Sequence, residues 1–153
     1  LAGVQASWTR RQVDRAGSAP AFLAVDLWPG GRATGKLYFS FQDPADVDSL
    51  LETLGCEELR IRLAQVHSHV SDNPVGRLVV TTRGLASDTL DVTLHAHLAS
   101  LPELDSALDE AWSELQAQGR QLELPPLCPS YISWLSGPRS SESLYYTFGN
   151  PSD

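Results

Sequence analysis

The histidines of this chain fall in two pairs, His67-Ser68-His69 and His95-Ala96-His97. Neutral imidazole is a common metal ligand, and three of them around an open position suit Zn²⁺ and a water activated on it. In a strand, residues two apart point to one face, so each pair can present two rings together. If strands over 59–69, 77–83 and 89–98 form an antiparallel meander, both pairs reach one sheet edge beside Arg77, about 10 Å apart across the middle strand. His67, His69, His95 and His97 are therefore the candidate ligands for zinc or another divalent metal. Alternation puts His95 and His97 on the polar side of their strand with Asp91 and Thr93. His67 and His69 instead run in phase with the apolar Leu59, Ile61 and Leu63. The two pairs then face opposite sides, and surface imidazoles are the leading reading.

Other spacings fit their chemistry less well. Gly30-Gly31-Arg32-Ala33-Thr34-Gly35-Lys36 has the glycines and lysine of a phosphate-binding loop. That chemistry needs Ser or Thr after the lysine and a helix whose amides face the phosphates. Leu37 stands there, and Leu37 to Phe41 alternates as a strand, so the segment reads as a hairpin turn. Asp105 and Asp109 sit one helical turn apart, but polar neighbours make them a solvated face rather than an acid–base pair. Cys56 follows Gly55 at the carbonyl end of a helix, a poor place for a nucleophilic thiolate. No catalytic residue and no organic cofactor is assigned.

The elements that must position these residues follow from periodicity. Residues 1–20 contain Arg10, Arg11 and Arg15 and read as an arm or short helix. Leu23, Val25 and Leu27, then Leu37, Phe39 and Phe41, alternate on either side of Pro29-Gly30-Gly31, which predicts a hairpin over 21–41. Asp43 and Pro44 open a helix over 44–54 that Gly55 closes. Strands follow at 59–63, 78–82 and 90–98. Ser100 and Glu103 stand at capping-box spacing before a helix over 101–118, with Leu101, Leu104, Leu108, Ala111 and Leu115 as its apolar stripe and Gly119 as its stop. Leu108, in mid-stripe, is expected in the core. Beyond Gly119, Pro125, Pro126, Pro129 and Pro138 limit the chain to one or two edge strands, and residues 149–153 form a tail.

The fold class predicted is α+β, with a mainly antiparallel sheet and two principal helices, in a single domain over 21–148. Strand, turn, strand, capped helix, glycine, strand occurs twice, which suggests a duplicated ββαβ unit. The stretch from Thr89 through Pro126, with its strand, its Leu104-Asp105-Ser106-Ala107-Leu108 helix, Gly119 and Pro125-Pro126, resembles the second half of a vicinal-oxygen-chelate domain. Residues 37 to 63 are similar to a degenerate first half. That resemblance implies paired βαβββ units, a cupped sheet and often a metal held by His and Glu.

Composition narrows the partners. Hydrophobic residues make up 42% of the chain, enough for a core, and no apolar run approaches the length of a membrane span. Eleven Lys and Arg against 19 Asp and Glu give a net charge of −8, with Lys36 as the single lysine, which opposes nucleic-acid binding. Cys56 and Cys128 are too few and too far apart for a disulfide framework, so they read as thiols of a cytoplasmic protein. The chain starts at Leu1 and has no methionine, so its start reads as trimmed. The expected function is a non-catalytic domain that binds a protein partner or itself. A metal-dependent enzyme or small-ligand binder using the two His pairs is the alternative.

Overall fold

A computed structural model describes residues 20–29, 32–71, 77–84, 90–100, 102, 106–137 and 140–148. The proposed arm before residue 20, the tail after 148, and Leu101, Glu103, Leu104 and Asp105 lie outside the described residues. Six strands form one antiparallel sheet among the described residues: β1 (Phe22–Trp28), β2 (Arg32–Phe41), β3 (Leu78–Gly84), β4 (Leu90–His97), β5 (Leu127–Leu135) and β6 (Ser141–Phe148). Their order across the sheet is their order in the chain. Two helices, α1 (Pro44–Thr53) and α2 (Glu57–Val66), intervene between β2 and β3, and α3 (Ser106–Gln121) intervenes between β4 and β5. The fold is mixed α+β, as composition and patterning predict.

The first helix forms where its caps demand. Asp43, in extended conformation, accepts the Ala45 amide at 2.9 Å, and Pro44 occupies a position whose N–H would have no helical partner. Gly55, at φ 72°, closes the turn in the left-handed region that side chains resist. Val47, Leu50 and Leu51 then face the sheet.

The second helix replaces the strand expected at 59–63. Leu59, Ile61 and Leu63 do alternate, but Ile61 is exposed while Leu59, Leu63 and Val66 are buried. The spacing that matters is four and three, which sets one stripe of a helix on the core. Glu57 and Glu58 lie in its first turn, where carboxylates complement the free amides. Arg60 ties the two helices together, its Nε and Nη2 donating to the Asp48 carboxylate at 2.8 and 3.0 Å. With this segment helical, the first ββαβ unit loses its closing strand, and the expected duplication is not seen. Paired βαβββ units are also absent among the described residues, since the sheet runs strand by strand with helices inserted.

The core fills one face of the sheet. Leu37 and Phe39 of β2, Leu78 and Val80 of β3, Val92, Leu94 and Ala96 of β4, and Ile132 and Trp134 of β5 pack with the buried stripes of α1 and α2. Helix α3 lies further along, its buried Trp112 tilted against Tyr146 of β6 at 5.9 Å between ring centroids. Leu108, expected in the core, is only half-buried, and Ala111 is exposed. The helix is rotated so that Leu108, Trp112, Leu115 and Gly119 form its inner stripe. It runs through Gly119 and ends at Gln121, and Glu123 takes the left-handed turn that follows, at φ 53°. β5 is internal rather than an edge, and its Pro129 is accommodated by a register shift between Pro129 and Tyr131.

Candidate functional site

With α1 and α2 on one side, strand alternation directs every second residue to the opposite face, open in the sense that neither of these two helices covers it. Cross-strand pairing aligns these residues in rows. Tyr38, Thr81, Thr93 and Leu135 make one row, and Ser40, Val79, His95, Ser133 and Ser143 the next. His97, Tyr131 and Tyr145 follow. At the other end of the face Asp26 of β1 receives Lys36 at 2.9 Å, with Arg83 at 3.7 Å. Lys36 thus belongs to an ion pair inside a strand, which agrees with reading its glycine-rich surroundings as hairpin rather than phosphate loop.

His95 sits at the centre of the open face. Its Nδ1 lies 2.6 Å from the Ser133 hydroxyl, and its Nε2 lies 3.2 Å from the Thr81 hydroxyl. Burial pushes its pKa below the ordinary histidine value, so the ring is held neutral. A neutral ring donates from one nitrogen and accepts at the other, and two hydroxyls can satisfy both. Hydroxyl and imidazole are the pair that acyl-transfer enzymes use, but those enzymes orient the base through a carboxylate. Here Thr81 occupies that position, and Ser133 is buried. The cluster is a hydrogen-bonded ladder that fixes three strands.

The remaining histidines have different surroundings. His67 is exposed in a single 3₁₀ turn spanning His67–His69. His69 turns its Nδ1 to the Ser100 hydroxyl at 2.9 Å. His97 packs on Tyr131, with ring centroids 4.8 Å apart. Backbone pairing does bring the two stretches together, through a bridge from Val70 to Leu98 and hydrogen bonds from Ser71 to His97 and from Ala99 to His69. The side chains, however, take separate partners. Among the described residues, no three His, Cys, Asp or Glu side chains gather where they could hold a metal.

Cys56 and Cys128 are not joined in a disulfide. Cys56 does stand at the carbonyl end of α1, as its place after Gly55 predicts: its amide donates to the Leu51 carbonyl at 2.8 Å, and its Sγ lies 3.8 Å from the Leu54 carbonyl oxygen. It precedes α2 at that helix's amide end, with Sγ 3.9 Å from the Ser136 hydroxyl. Asp109, Glu110 and Glu114 are exposed, as expected of a solvated helix face. A shallow cleft of about 260 Å³ lies between the end of α3 and the start of β5, lined by Gln116, Gly119, Arg120 and the segment Leu124–Leu127. Its lining offers no converging set of acid, base and nucleophile.

Sequence patterning did not find the most distinctive feature. On β1, Phe22 is 57% exposed, Leu23 54%, Val25 48% and Leu27 82%. Leu23, Val25 and Leu27 lie on the helix side of the sheet, in register with Leu37, Gly35 and Ala33 of β2. Their alternation announces a half-buried strand, and only the sheet order shows that this strand is the edge of the sheet among the described residues. No helix among the described residues is long and apolar enough to cross a membrane. No protein-family model, curated protein or solved structure matches this chain.

Proposed function

We propose that this domain is an interaction module that docks its partner along the β1 edge. The observation that carries the reading is the exposure of four large apolar side chains on one edge strand. Edge strands in water are ordinarily protected by lysine, proline or charge, because their open backbone groups template further pairing. Within β1 the single charge is Asp26, and it is engaged by Lys36 and Arg83 on the open face. An apolar strand that, among the described residues, pairs with a neighbour on one side only suits β-strand addition, in which main-chain bonds supply affinity and alternate side chains supply specificity.

Peptides selected from a random library for binding to the full chain test this reading. Their binding should perturb the amide resonances of Phe22–Trp28 and should be lost in Val25→Lys. Selected binders that map to the open face around His95, with Val25→Lys leaving them intact, would overturn it.

A further inference from the structure

We propose that the partner of the β1 edge is a second copy of this chain, paired antiparallel about a twofold axis at Val25. This rests on the interaction-module reading above and names its partner. The strand reads Phe22-Leu23-Ala24-Val25-Asp26-Leu27-Trp28, and its residue types are nearly symmetric about the central valine. A twofold interface sets residue i against j and j against i, so a strand that pairs with itself must be its own complement. On the helix side, pairing centred at Val25 places Leu23 opposite Leu27 of the partner subunit, and Val25 opposite Val25 of the partner subunit. On the other face it places Ala24 opposite Asp26 of the partner subunit, and at the strand ends Phe22 falls in register with Trp28 of the partner subunit.

Charge and register select this axis over its neighbours. Centring on Asp26 would set two carboxylates directly opposite each other, an arrangement that destabilises a strand pair. Centring on Ala24 would put Asp26 against Phe22 and leave Leu27 opposite Ala21. Pro20 and Pro29 bound the strand on both sides, which confines pairing to these seven residues. The twofold axis stands perpendicular to the sheet, so helix-side faces of both copies remain on one side. Two six-stranded sheets would then run on as one of twelve strands, with Leu27, the most exposed large apolar side chain among the described residues, meeting Leu23 of the partner subunit.

Sedimentation velocity of the full chain, together with cysteine cross-linking, tests the proposal. The wild type should sediment as a dimer, and Val25→Lys should raise the dissociation constant at least about 100-fold by facing two ammonium groups across the axis. Because Val25 is half exposed, the variant should retain its circular dichroism. In a background with Cys56→Ser and Cys128→Ser, Val25→Cys should cross-link with itself on mild oxidation. Leu23→Cys and Leu27→Cys should cross-link when mixed and not singly. A monomeric wild type with no such pattern overturns self-pairing. If that monomer still takes selected peptides at β1, the module reading stands with a different partner. If its β1 amides are instead protected by residues 1–19 of the same chain, as deletion of that segment would reveal, both readings fall.

Discussion

His95 of β4 and Ser133 of β5 stand directly opposite each other in register, and their side chains meet at 2.6 Å across the strands. The hydroxyl bond fixes the imidazole over the middle of the open face. Because burial lowers the His95 pKa, the unfolded chain takes up a proton near its ordinary value while the folded chain does not. The contribution is therefore fully present above about pH 6.5 and declines as pH falls from there through the folded pKa. Denaturation midpoints measured from pH 7.5 to 5 should fall for the wild type and fall less steeply for His95→Gln. Equal slopes would show that His95 is as solvated in the folded chain as in the unfolded one.

Trp112 is the anchor of α3, so Trp112→Ala should cost about 3 kcal/mol through lost burial and the cavity left behind. Leu108→Ala, at a half-buried position, should cost about 1 kcal/mol, and Asp109→Ala on the outer face less than about 0.5 kcal/mol. Urea titration of the three variants checks the order. A larger loss at Leu108 than at Trp112 would mean the helix is turned differently.

The helical state of Glu57–Val66 separates two neighbours that alternate with each other in sequence. Leu63→Ala should cost about 2 to 5 kcal/mol, since Leu63 packs into the core. Ile61→Lys should change stability by about 0.5 kcal/mol or less, because Ile61 points to solvent. Comparable large losses at both positions would favour a buried strand.

Glu123 holds a left-handed conformation in the turn after α3, where a side chain is strained. Glu123→Gly should stabilise the protein by about 0.5 to 1 kcal/mol, the strain relieved exceeding the added freedom of the unfolded chain. An unchanged or lower thermal midpoint would count against the strained turn.

Asp48 is held below the usual carboxylate range by its hydrogen bonds to Arg60. A lowered carboxyl pKa contributes stability above the unfolded value, near 3.9 in model peptides, and that contribution is lost as pH falls through the folded value. The pair is partly solvent-exposed, so Asp48→Asn should cost less than about 1 kcal/mol at neutral pH. The difference from wild type should vanish in acid. A difference that persists at pH 2 would point to packing rather than charge.

What the sequence determined by itself is local. Asp43, Pro44 and Gly55 mark the ends of α1 because caps and left-handed turns depend on neighbours a few residues away. The β1–β2 hairpin and the β3 and β4 strands follow from alternation of apolar side chains around glycine and proline. The tertiary structure decided what local spacing leaves open. Leu59, Ile61 and Leu63 fit a period of two as well as Leu59, Leu63 and Val66 fit the helix, and packing on the sheet chose the helix. Trp112 rather than Ala111 faces inward because Tyr146, distant in sequence, supplies the surface it meets. His95 finds Ser133 and Thr81 only once three strands align. Whether the apolar row of β1 lies in a core or at an edge depends on where the helices stop, and nothing within Phe22–Trp28 encodes that distance.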